Sequence, residues 1–254
     1  MSNKDSYPLH LGLLAAMPEE LGNILSNLLD ISKKEYGDLT IFSGTWKNTL
    51  NKEFYITVAW SGWGKVSAAR AATRIISSTY KNKKINLFMF TGVAGGVKKD
   101  LKQWDIVVAD SLIQHDMDAS PLFDKFVIPS LGKKILQPNN DTLQKLISEL
   151  TKEKNRGKLS RFGEINKGLI ATGDKFVSDT SLIHILEKQI PKLLAIEMEG
   201  AAFAQVAIQE KVDWLVIRVI SDSANDSADQ DFQSFLKEYN KFSWQLISCF
   251  LSSL

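Results

Sequence analysis

A set of short, almost unbroken apolar runs most restricts what this chain can fold into. They lie at Leu9–Ala16, Phe54–Trp60, Asn86–Thr91, Asp105–Ala109, Gly168–Ala171 and Trp214–Ile220. Their lengths and β-branched content suit strands better than helices. Apolarity that is continuous rather than alternating means that both faces are covered, as in a sheet held between helical layers.

Amphipathic patterns fall between these runs. Glu19–Leu29 carries Leu21, Ile24, Leu25 and Leu28 on one stripe, which predicts a helix. An alanine-rich helix is expected over Lys65–Tyr80, after the turn Ser61-Gly62-Trp63-Gly64. Asp141–Leu150 follows Pro138-Asn139-Asn140, a natural start signal. Glu199–Glu210 contains Gly200, Ala201, Ala202 and Ala204, small residues that let a helix backbone approach a sheet. The stripe Phe232, Phe235, Leu236, Tyr239, Phe242, Leu246 and Phe250 predicts one last helix over Asp231–Leu251. Asp116–Gln137 is the longest stretch without periodicity, and long ordered loops are often functional. The alternation predicts one α/β domain over residues 9–254, behind an N-terminal tail at 1–8.

Charge narrows the partners. The 31 basic and 29 acidic side chains leave a net charge of +2, so there is no electrostatic footprint for nucleic acid and a small or neutral partner fits better. No apolar run approaches the roughly 20 residues that span a bilayer. Lys4 followed by Leu9–Met17 faintly resembles a signal peptide, but His10 interrupts it and Glu19-Glu20 follows at once, so a buried first strand is the expectation. Cys249 is the only cysteine and reads as a core thiol. His10, His115 and His184 lack metal-ligand spacing, and no metal site is expected.

Ligands of open α/β sheets sit beyond the carboxyl ends of strands, so the residues just after each run are the ones to read. They are Met17-Pro18-Glu19-Glu20, Thr91-Gly92-Val93-Ala94-Gly95-Gly96 and Thr172-Gly173-Asp174-Lys175-Phe176-Val177; the last run ends in Arg218-Val219-Ile220-Ser221-Asp222, and Glu197-Met198-Glu199-Gly200 lies just before the alanine-rich helix. Each has a plain structural reading. Glu19 or Glu20 could favour a helix N-terminus, Thr91–Gly96 could be a tight turn, Phe176 could be core, and Asp222 could cap a turn beside Ser221 and Ser223. No GxxxxGK[ST] spacing occurs, which excludes a Walker A loop. Glu197 and Glu199, two apart, would point to different sides of a helix, so one of them at most should face a site there.

Together and in this order, the segments resemble the methylthioadenosine/S-adenosylhomocysteine nucleosidases of the nucleoside phosphorylase superfamily, from about Leu11 to Leu236. The resemblance implies a single-domain three-layer α/β/α sandwich with a twisted mixed central sheet, and a cytoplasmic homodimer that acts in methionine salvage without a cofactor. It implies Asp222 as the acid that protonates purine N7, oriented by Ser221, and Glu20 as the base that polarises water. It implies Met198 and Glu199 as the ribose pair with Glu197 and Arg218 beside them. Phe176 would stack on adenine and Val177 would contact the base. Val93, Ala94 and Gly95 would form the loop near the sugar, and Met17 and Phe232 would line the sugar and its 5′ substituent. Ala119 and Leu122 fall where a partner subunit would close the pocket. Val93 stands where many bacterial relatives have serine, and Asp118–Leu136 differs from shorter familiar forms. The chemistry is coherent on its own terms: adenine leaves poorly as an anion, so one carboxyl must hold a proton while another is ionised.

Overall fold

All six residues of His10–Ala15 are buried, with Leu11 and Leu13 packed into one core cluster and Leu14 into another across the sheet. This is β1. In chain order there follow β2 (Leu29–Tyr36), β3 (Leu39–Lys47), β4 (Glu53–Trp60), α1 (Lys65–Ile76), the short β5 (Thr79–Tyr80) and β6 (Lys83–Lys84), β7 (Leu87–Gly96) and β8 (Ile106–Gln114). The chain continues through α2 (Asn140–Asn155), β9 (Ile165–Thr172), α3 (Thr180–Gln189), β10 (Leu193–Glu197), α4 (Gly200–Gln209), β11 (Trp214–Asp222), α5 (Ala228–Tyr239) and α6 (Ser243–Ser252). This computed structural model describes residues 9–223 and 228–252, the side chains of 228–231 excepted; the expected tail at 1–8 lies outside the described residues.

The main sheet has nine strands in the order β10-β9-β8-β11-β7-β1-β4-β3-β2. It is mixed: β1 runs parallel to β4 and β7, and β11 parallel to β7, whereas β11–β8, β3–β4 and β2–β3 are antiparallel. β10 pairs in parallel with β9 and also in antiparallel fashion with β7, at Ala195–Gly96 and Ile196–Gly95, so five strands close on themselves. Helices α2, α5 and α6 bury Leu146, Phe235 and Ile247 in the cluster on one face. Helices α1 and α4 bury Ala68, Ala72, Ala201 and Phe203 on the other, where Phe203 lies 4.3 Å from Phe88 between ring centroids. Burying one such ring contributes about 1.5–3 kcal/mol. Helix α3 adds Ile183 and Leu186 to a third cluster. The result is the three-layer α/β/α fold with a mixed central sheet. Among the described residues no helix is long and apolar enough to cross a membrane.

Several elements differ from expectation. The helix expected at Glu19–Leu29 is two short 3-10 turns, Pro18–Glu20 and Ile24–Asn27, and Leu29 already belongs to β2. Gly22 breaks the helix: it takes φ +54°, and a Cβ there would lie 2.5 Å from the Asn240 carbonyl oxygen. The hydrophobic stripe still points into the core, which is why it mimicked a helix. The single terminal helix is two, broken at Asn240–Phe242, and both halves bury the same stripe in one cluster. β2, β3 and β10 escape the apolar-run criterion: β2 is an exposed, charged edge strand, β3 carries Thr40, Ser43, Gly44 and Thr45 between its apolar residues, and β10 is only five residues long. β7 runs through Gly96, so Thr91–Gly96 is strand rather than turn.

Candidate active site

The carboxyl ends of β1, β7, β9, β10 and β11 meet around a cleft of about 560 Å³, counting the solvent at its mouth. Met17 and Glu20 follow β1, and Val93, Ala94 and Gly95 end β7. Phe176 and Val177 come from the segment after β9, and Glu197, Met198 and Glu199 from the end of β10. Ser221 and Asp222 end β11, and Phe232 reaches in from α5, its ring edge-on to Phe176 at 5.7 Å. Glu20 and Asp222 thus line one cleft.

Arg218 lies beneath these residues, fully buried, with its guanidinium 4.3 Å from the centre of the Phe90 ring. Its Nη2 pairs with Glu197 Oε2 and stands 3.7 Å from Glu199 Oε2, while Nη1 donates to the Thr91 carbonyl and lies 4.0 Å from Glu20 Oε1. Glu197 Oε2 also accepts the N–H groups of Glu199 and Gly200 at 3.0 and 2.8 Å, and Oε1 accepts the Thr172 hydroxyl. Glu197 and Glu199 therefore both face the cluster, contrary to the expectation of one at most. The expectation assumed a helix, but Glu197 ends a strand and the chain bends before α4 begins at Gly200. Three carboxyl groups around one guanidinium cannot all be comfortably charged. Burial first, and then the Glu197 charge, push Glu199 up to about 8.

Glu20 is held by backbone: Oε2 accepts from Ala16 and Met17 at 2.7 and 3.0 Å, and Oε1 from Val93 at 2.9 Å. Burial raises its pKa, opposed by Arg218 and by these three N–H groups. Gly92 makes the approach possible, since a Cβ there would sit 2.3 Å from both Arg218 Nη1 and Glu20 Oε1. At the end of β11 the Ser221 hydroxyl is 2.6 Å from Asp222 Oδ2.

Ala119 and Leu122 are not brought to the cleft wall; Leu122 is 85% exposed on the segment between β8 and α2. Ala16, Trp63, Lys175 and Ile196 also line the cleft, beyond the residues the sequence reading assigns to it. Trp63 was visible in the Ser61–Gly64 turn, which follows β4 as the recognised motifs follow their strands, and its ring lies 6.1 Å from Phe232. Among the described residues, no group of His, Cys, Asp and Glu is arranged to hold a metal ion.

The family model of the phosphorylase superfamily matches residues 10–252, the whole of this mixed sheet and the cleft at its carboxyl edge. The 5′-methylthioadenosine/S-adenosylhomocysteine nucleosidase of Shewanella denitrificans is 31% identical over 97% of this chain and 100% of its own. The S-adenosylhomocysteine nucleosidase of Streptococcus pyogenes, solved with 5-methylthiotubericidin, is 30% identical with a TM-score of 0.84, covering 98% of this chain and 99% of its own. The futalosine hydrolase of Helicobacter pylori is 30% identical with a TM-score of 0.81, covering 97% and 98%. The chain belongs to the methylthioadenosine/S-adenosylhomocysteine nucleosidase family within that superfamily.

Proposed function

We propose that the protein hydrolyses the N-glycosidic bond of 5′-substituted adenosines, methylthioadenosine and S-adenosylhomocysteine foremost, to adenine and the free sugar. The observation that carries this reading is that Glu20 and the Ser221–Asp222 pair line one cleft, with Met198 and Glu199 in the same wall. Asp222 protonates N7 as the N9–C1′ bond breaks, so adenine leaves neutral. Water adds to the oxocarbenium-like C1′ and its proton passes to Glu20. Each proton transfer of this kind typically contributes about 10²–10⁴-fold. A carboxyl pushed up to about 8 suits Glu199 to exchange hydrogen bonds with ribose hydroxyls in either protonation state. Glu197, whose oxygens are taken up by Thr172, two backbone N–H groups and Arg218, holds that wall in place. Phe176 and Val177 receive the base, and Met17 and Phe232 the sugar and its 5′ group. A second copy of the chain, bringing Ala119 and Leu122, completes the pocket in a cytoplasmic homodimer serving methionine salvage.

A phosphorylase would need free cationic groups for phosphate. Arg218 is surrounded by three carboxyl groups and Lys175, on the exposed segment after β9, is the single cation among the described lining residues, which supports water as the acceptor. Incubation with methylthioadenosine, with and without phosphate, tests this. Adenine and methylthioribose should form in both; a sugar phosphate appearing only with phosphate would overturn hydrolysis. Comparing futalosine with methylthioadenosine as substrate ranks the 5′ groups.

A further inference from the structure

Helix α1 begins without a cap of its own, because its N-cap position is Gly64. The first N–H groups of a helix have no partner within it. Here two carboxyl groups from distant segments take them: Glu199 Oε1 accepts from Gly64 at 2.8 Å and Asp174 Oδ1 from Lys65 at 2.7 Å. The Lys65 side chain, only 18% exposed, places Nζ 2.6 Å from Asp116 Oδ1 and 4.0 Å from Asp174 Oδ2. Gln114 Oε1 lies 3.4 Å from the same ammonium, and Asp116 Oδ2 accepts the Asp174 N–H at 2.9 Å. The turn before α1, the end of β8 and the segment after β9 are thus fastened at one point. Two of the three stand next to the cleft in the chain: Trp63 precedes Gly64, and Phe176 follows Asp174 by two residues.

Neither Lys65, Asp116 nor Asp174 lines the cleft or has a role in the chemistry above. We propose that they are positioning residues: the Lys65–Asp116–Asp174 latch fixes the Gly62–Lys65 turn so that the Gly64 N–H aims Glu199 at the ribose and the Trp63 and Phe176 rings stand at the spacing a nucleoside needs. An isolated exposed ion pair would do little. This one closes a ring of contacts through two backbone N–H groups, so breaking it frees a turn rather than one side chain. The inference rests on the reading of Glu199 as the ribose carboxylate.

The test is steady-state kinetics on methylthioadenosine together with amide hydrogen exchange. Asp174→Ala should raise KM by about tenfold or more while kcat changes less than about threefold, the mark of lost binding geometry rather than lost chemistry. Exchange at the Gly64 and Lys65 amides should quicken. Asp174→Asn keeps an acceptor for the Lys65 N–H and should recover most of the KM. Lys65→Met should resemble Asp174→Ala, and Lys65→Arg the wild type. A folded Asp174→Ala with unchanged KM, or with the loss confined to kcat, overturns the proposal. If the wild type releases no adenine, the functional reading fails by itself; the latch is then judged by exchange, and amides that stay equally protected in Asp174→Ala overturn it.

Discussion

The Ser221 hydroxyl lies 2.6 Å from Asp222 Oδ2 and 3.3 Å from the Ala94 carbonyl oxygen, so its single proton has two possible acceptors. When the proton goes to Ala94, the serine oxygen is left to accept from a neutral Asp222. The pair can therefore hold the acid in the form that protonates a purine. Asp222→Asn should lower kcat by about 10²–10⁴-fold with the fold intact, and Ser221→Ala by a smaller factor, read as adenine release. Near-normal turnover in Asp222→Asn removes it from the acid role.

Glu20 has to be ionised to take a proton from water, yet burial raises its pKa. A base loses function as pH falls through its own pKa. The acidic limb of kcat/KM should accordingly lie above the ordinary carboxylate range, and Glu20→Gln should abolish the limb along with most of the activity. A profile that stays flat through the carboxylate range in the wild type contradicts this.

Removing Arg218 would strand Glu20, Glu197 and Glu199 around an empty space with no cation. Arg218→Met should destabilise the protein by about 3–5 kcal/mol, the usual penalty for breaking a buried ion pair from one side. Urea unfolding monitored by tryptophan fluorescence measures it. Arg218→Lys should fall between, since one ammonium cannot reach both Glu197 and the Thr91 carbonyl as the planar fork does. Equal stability of Arg218→Met and wild type would show that the cluster sheds its charge at no cost.

Glu199 makes stability depend on pH. Below the ordinary value of 4.5 it is neutral in folded and unfolded chains alike; between 4.5 and about 8 only the unfolded chain gives up its proton. Stability should fall as pH rises through that window, by at most about 1.4 kcal/mol per unit from this one group, and level off above it. Glu199→Gln should flatten the slope in that range. An unaltered slope would mean that other groups carry it.

The parts of the site that could be read from sequence were the strand ends. Met17–Glu20, Val93–Gly95 and Ser221–Asp222 each follow or finish an apolar run, Glu197–Glu199 stands before an alanine-rich helix, and a sheet brings such strand ends together whatever its strand order. What could not be read depends on the third dimension. The Leu21–Leu28 stripe has helical spacing, but Gly22 must approach the Asn240 carbonyl, more than two hundred residues away in the chain. Glu197 and Glu199 converge because a strand bends into α4 between them, and spacing alone does not show a bend. Trp63 was passed over because its turn carries no acidic or aromatic partner in sequence; the partner, Phe232, comes from the far end of the chain.

β10 is stitched to strands on both of its edges, and Glu197 is its last residue. The acid at the root of the charged cluster therefore stands on backbone paired on both sides, whereas Trp63, Phe176 and Phe232 hang from turns and a peripheral helix. Change at Phe232, which faces the 5′ group in the reading above and belongs to neither the charged cluster nor the Gly62–Lys65 turn, can reshape the 5′ groups admitted without disturbing the machinery that breaks the bond. In this fold the choice of nucleoside is free to drift while the reaction stays put.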